Sequence, residues 1–180
     1  MKTAPGRLLR RARAGRHRSR LAGIDVPDTI TVSSDAFDDE GIIPVAHAGK
    51  GVGDNQSPAL RWSGVPDGTA ALVLIIEDDD VPLPRPLMHT IAILEPQLDH
   101  IDEGALQPTS TDIRFIKTPL GLGYSGPRPI PGHGPHHYRF HLFALGNAVP
   151  GTVKTKNELL QAIRQYATAR GTLTGIYQRP

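Results

Sequence analysis

Glycine and proline occupy 36 of the 180 positions, one residue in five. Proline removes a backbone donor and fixes φ, and glycine raises the entropic cost of any regular element, so neither suits the interior of a long helix. Breakers at this density argue against a helical bundle and fit short strands joined by many turns. The length is enough for one domain with a sizeable core and too little for two comfortable ones. A hydrophobic share of 38% with 21% charged residues is globular rather than disordered. There is no cysteine, which rules out disulfides, thiolate nucleophiles, iron–sulfur clusters and cysteine-ligated zinc.

Between the breakers lie apolar runs of strand length. Thr29-Ile30-Thr31-Val32 is β-branched, Ala70–Ile76 (AALVLII) and Leu87–Leu94 (LMHTIAIL) are nearly continuous, Ile113–Ile116 (IRFI) is weaker, and Tyr138–Leu145 (YRFHLFAL) is strong. The Gly/Pro stretch from Pro119 to Pro135 is long for a connection and suits a functional loop. One helix is predicted. Thr155-Lys156-Asn157-Glu158 reads as a capping box, followed by a stripe of Leu159, Leu160, Ile163, Tyr166 and Ala167. Arg170 in the last turn and Gly171 at the C-cap would end it, and Leu173–Tyr177 reads as a short final strand. The sum is a mainly β chain, a sandwich of two antiparallel sheets with a C-terminal helix.

The formal charge of +2 conceals an asymmetry. Residues 1–20 carry eight of the twenty Lys and Arg and no acid, leaving twelve bases against eighteen acids, a balance of −6, over the rest. The basic character belongs to a tail, and the acidic remainder, with few aromatics, argues against a nucleic-acid binder. Residues 1–22 therefore read as a disordered tail and 23–180 as the domain. With no apolar leader core in the tail and no run long enough to span a bilayer, the expected location is the cytoplasm.

Two clusters could carry chemistry. His133, His136, His137 and His141 fall within nine positions, but strand alternation sets His136 with Tyr138 on one face and His137 with His141 on the other. Such a split argues against a metal site, and no cofactor is expected. The second cluster, Glu77-Asp78-Asp79-Asp80, closes the Ala70–Ile76 strand. The next strand carries His89, which alternation groups with Ile91 and Ile93 on a core-facing side. A histidine there needs polar partners, and an aspartate from the acidic turn is a natural one.

Three motifs now fit one pattern. Asn55-Gln56-Ser57-Pro58-Ala59-Leu60-Arg61-Trp62 fits N-x-S-P-x-L-x-W; Asp78-Asp79-Asp80-Val81-Pro82 fits D-P-D-A-P with two changes; and Gly126 to Phe140 fits G-P-x-P-P-x-G-x-G-x-H-R-Y-x-F. Together, from about Ile30 to Tyr177, they resemble the phosphatidylethanolamine-binding proteins, the family that includes the Raf kinase inhibitor proteins and their bacterial homologues. The resemblance implies a sandwich with a small anion pocket at one end, lined here by Asp78, His89, Gly126, Pro129, His136 and Tyr138, with backbone N–H groups of the Gly126–Gly134 loop facing the anion. It implies a binding protein rather than an enzyme, taking a small phosphorylated or carboxylate ligand, with kinases or proteases as partners in some members and homodimers among bacterial ones. Asp79 for proline, Thr90 for the usual tryptophan and His137 for arginine depart from the pattern and imply weaker anion affinity. The alternatives are a hydrolase using the same Asp and His residues, against which no activated nucleophile is visible, and an anionic-surface or nucleic-acid tether in the tail.

Overall fold

The computed structural model describes residues 6–180. Among them, nine strands and two α-helices run in the order α1 (Gly6–Leu9), β1 (Thr31–Ser33), β2 (Gly41–Ile42), β3 (Leu60–Ser63), β4 (Ala71–Asp78), β5 (Leu87–Leu94), β6 (His100–Ile101), β7 (Arg114–Phe115), β8 (His136–Leu145), α2 (Lys156–Tyr166) and β9 (Ala167–Tyr177). They form a three-stranded sheet, β1-β3-β6, and a six-stranded one, β2-β9-β8-β4-β5-β7. The pairings are antiparallel except at the edge, where β2 runs parallel to β9.

The apolar runs are continuous rather than alternating because the large sheet is covered on both faces. One face packs Leu72, Leu74, Ile76, Phe140 and Leu142 against Val32, Leu60, Trp62 and Ile101 of the small sheet. The other presents Val73, Ile75, Ile91, Ile93 and Phe143 to Leu159, Leu160 and Ile163 of α2 and to Leu21 and Ile24. Helix α2 begins as the sequence indicates: Thr155 Oγ1 accepts from Glu158 N–H, and the Glu158 carboxylate accepts from Thr155 N–H.

Two expectations need correction. The helix stops at Tyr166, and residues 167–177 form a long strand, so Arg170 and Gly171 are strand residues. Gly171 is there for closeness, not capping: a Cβ would sit 2.0 Å from the Ile30 carbonyl oxygen. Of the segment 1–22 read as a disordered tail, residues 1–5 lie outside the described residues, and the rest is docked from Gly6 onward. Ala14 and Leu21 are buried, Ala14 N–H donates to Val81 O, Gly15 N–H to Asp79 O, and Arg13 pairs with Asp80. Arg13 and Ser19 of this segment find partners in the acidic tract, Asp80 and Glu77, a long-range match that composition alone does not reveal.

Candidate functional site

The site forms where the C-terminal end of β4 lies beside the N-terminal ends of β5 and β8, an arrangement that antiparallel pairing dictates. Asp78, His89, Gly126, Pro129, His136 and Tyr138 all line one cavity of about 270 Å³. Ser125 and Arg128 also line it, and Leu83, Leu87, Leu120 and Ile130 form apolar walls. None of these last six was assigned to the site from the sequence: Leu87 opens β5, and the other five are loop residues, which carry no periodic signal.

His136 and Tyr138 share a face of β8, with His136 and Tyr138 each 1% exposed. His89 reaches them by a route that simple alternation misses. The β4–β5 register pairs Ile76 with Thr90 and then Glu77 with Met88, so His89 is an extra residue in a bulge. The bulge turns the ring away from the Ile91 and Ile93 face, against Tyr138, at 5.3 Å between ring centroids and edge-on. Its Nδ1 donates to Ser125 O at 2.8 Å in the neutral form, which leaves Nε2 for a ligand. Burial holds the His89 imidazole below its ordinary pKa, against the opposing pull of the Asp78 charge.

The acidic tract is buried and partnered residue by residue. Asp78 Oδ2 lies 2.7 Å from His136 Nδ1, and its Oδ1 accepts from Asp80 N–H. Asp79 turns to the opposite face and pairs with Arg139; burial nonetheless raises its carboxyl above the usual range. Asp80 accepts from Arg13 and from both the backbone and ring of His137. Burial pushes its carboxyl up, but these donors outweigh it and hold it below the ordinary value. Glu77 accepts from Ser19 Oγ, with His141 Nε2 at 3.3 Å. Asp79 is thus neutralised away from the cavity, and His137, bound to Asp80, contributes nothing to the cavity wall.

The loop is held by the first motif. Asn55, in the left-handed region at φ 55°, accepts from Gly126 N–H through Oδ1 and donates through Nδ2 to Tyr124 O. Tyr124 Oη donates to His47 O, and Gly126 presses so close to that carbonyl that a Cβ would lie 2.1 Å from it. The Gly126 N–H, expected to face an anion, is therefore committed to Asn55. Ser125 N–H is likewise directed at Thr90 Oγ1. Two polar features stand out, one in the cavity wall and one directly behind it. The Tyr138 hydroxyl is buried and makes no hydrogen bond of good geometry among the described residues, although the Asp78 carboxylate and the Arg128 backbone lie near it. Its pKa is driven well up by burial and by the Asp78 carboxylate, so it stays a neutral O–H. The second is His133, fully buried, whose Nδ1 lies 2.7 Å from His136 Nε2. Sequence alternation separated the clustered histidines, whereas a turn at Gly132–Gly134 brings His133 back onto His136.

A family model described as phosphatidylethanolamine-binding protein matches residues 33–178. The chain belongs to this family. A UPF0098 protein of Pyrococcus abyssi is 34% identical over 160 residues, covering 84% of this chain and 86% of that one. Among solved structures, a phosphatidylethanolamine-binding protein homologue from Chlamydia trachomatis superposes with a TM-score of 0.74 at 30% identity, over 85% of this chain and 99% of the other. Escherichia coli YbcL, a member of the mammalian phosphatidylethanolamine-binding protein family, superposes with a TM-score of 0.78 at 23% identity, over 84% and 99%. At that identity, its likeness is one of fold. Among the described residues, no helix is long and apolar enough to cross a membrane.

Proposed function

We propose that the cavity binds a small oxyanion, a phosphate or phosphorylated group in preference to a carboxylate, and that the protein acts by binding rather than by turnover. The observation that carries this reading is the Tyr138 hydroxyl, buried at the cavity wall with no well-formed hydrogen bond among the described residues, its neighbours Asp78 and the Arg128 backbone being badly placed to complete one. An orphaned buried hydroxyl costs about 1–3 kcal/mol, and a ligand oxygen is the natural group to relieve it. Across from it His89 offers Nε2, an acceptor while the ring is neutral. A ligand that suits both therefore accepts from Tyr138 and brings a proton for His89. A phosphate group does so near neutrality, since its second proton leaves at about pH 6; a carboxylic acid, deprotonated near about pH 4, brings it at much greater cost. Arg128 adds a positive charge, and Leu83, 48% exposed, and Leu120, 41% exposed, offer apolar surface to an organic substituent.

Modulation of a kinase or protease, described for members of the family, would then run through the loops that form these walls. Titration with inorganic phosphate, followed by backbone amide shifts, tests the pocket reading. The expected result is saturable shifts concentrated at Ser125–Ile130, His89 and Tyr138, much smaller with acetate. Shifts confined to the arginines of the N-terminal segment would overturn it, and slow hydrolysis of a phosphomonoester, abolished by His89→Ala, would favour the hydrolase alternative.

A further inference from the structure

Both ring nitrogens of His136 are engaged, one by Asp78 and the other by His133. His133 in turn directs Nε2 at two carbonyl oxygens of the N-terminal segment, Leu9 O at 2.8 Å and Ala12 O at 3.2 Å. A relay therefore runs from a carboxylate, through two imidazoles, to a backbone carbonyl. We infer that the N-terminal segment Gly6–Gly15 is a working part of the binding site, and that His133 is a positioning residue through which it fixes the protonation of His136.

The hydrogen bonds fix the number of protons on this unit. Carbonyl oxygens only accept, so His133 Nε2 must carry a hydrogen. At the other end, the Asp78–His136 contact holds one proton, and the His136–His133 contact holds another. Three protons thus reside on Asp78, His136 and His133, and the unit is electrically neutral. Without the carbonyl acceptors, nothing requires the third proton. A bare His133 Nε2 then leaves two protons and a net charge of −1 against the cavity, an arrangement that repels an anion. The remaining titratable groups packed around His136 are His89 on β5, Tyr138 on its own strand and Tyr177, opposite it on β9. None of them lies on the path between Asp78 and Leu9.

The segment is built to stay in place. Arg10 Nε donates to Gly132 O, Arg13 Nη1 to Pro135 O and to Asp80, and Gly6 N–H to Pro131 O. These anchors grip the loop that carries His133 and the acidic turn that forms the opposite wall. Gly6 fits so tightly that a Cβ would lie 2.4 Å from both His133 N and Pro131 O, backbone atoms that cannot swing aside. Binding coupled in this way is reciprocal: a bound anion should hold the segment down as firmly as the segment favours the anion.

This inference rests on the oxyanion reading for its consequence, but the relay is measurable in the ligand-free protein. In the full chain, ¹⁵N spectra of the imidazoles at pH 7 should show three of the four ring nitrogens of His133 and His136 protonated. Gly6→Ala combined with Arg13→Ala, which loosens the segment and leaves both histidines intact, should reduce this to two. His133→Gln should return His136 to an ordinary neutral signature in a folded chain. Two protonated nitrogens in the full chain, or no change on loosening the segment, would overturn the relay. Inorganic phosphate is then titrated against both proteins. One unit of charge at this range should weaken binding about ten-fold in the loosened variant. Equal affinity alongside a changed proton count would overturn the coupling, whereas absence of phosphate binding to the full chain, with the proton count as expected, would refute the pocket reading and leave the relay standing.

Discussion

At the scale of single residues, the site combines a satisfied part with an unsatisfied one. Asp78, His136 and His133 use up one another's hydrogen bonds, while Tyr138 Oη has none among the described residues. Removing an orphaned buried hydroxyl relieves a penalty, so Tyr138→Phe should leave thermal stability unchanged or slightly raised while weakening phosphate binding about five-fold or more. Loss of both stability and binding would mean that the hydroxyl has a structural partner. His89 makes a second prediction, through linkage. Its folded pKa is depressed and its unfolded value is about 6.5, so below that pH the unfolded chain binds the extra proton first. Stability should fall as pH drops from about 6.5 toward the folded value, and denaturant unfolding of the full chain and of His89→Phe should diverge across that window. Parallel curves would contradict it. The pairing of His136 with Tyr138 was legible in the sequence, because a long strand alternates whatever surrounds it. His89 was legible as a buried polar residue, but its direction was not, since one bulge inverts the parity.

At the scale of elements, local signals mark where structure begins better than where it ends. The Thr155 capping box specifies the start of α2 through bonds within four residues, and Thr155→Ala should cost about 1 kcal/mol in chemical denaturation. The end of α2 is decided instead by pairing: Ala167 to Tyr177 lies along nearly the whole of β8, and that ladder outweighs the local appeal of Gly171 as a cap. Gly171→Ala tests this. Forced against the Ile30 carbonyl, the methyl group should cost about 2 kcal/mol or more, whereas a C-cap or an open position would lose much less. Short strands such as Gly41–Ile42 and His100–Ile101 are invisible to periodicity because two residues have no period. Leu60–Ser63 lies partly within the N-x-S-P-x-L-x-W motif, whose asparagine also ties down the cavity loop.

At the scale of the whole molecule, the charge asymmetry of the sequence becomes an internal complement. The basic N-terminal segment and the acidic tract meet across the end of the large sheet, with Leu21 and Ile24 sealing the apolar layer beside α2. Leu21→Ala should therefore cost about 2–4 kcal/mol, lowering Tm by roughly 5–10 °C in a chain of this size. A change within about 2 °C would restore the detached-tail description. The segment touches residues just behind the cavity wall, Asp80 through Arg13 and, through His133, the wall residue His136. The most direct test of the account is calorimetric titration of the full chain with inorganic phosphate at pH 6 and pH 8, repeated with Tyr138→Phe. The account predicts one site, affinity about ten-fold or more weaker at pH 8 as the shared proton is lost, and weakened binding in the variant at pH 6. Absence of binding at pH 6, or equal affinity with and without the Tyr138 hydroxyl, would contradict it.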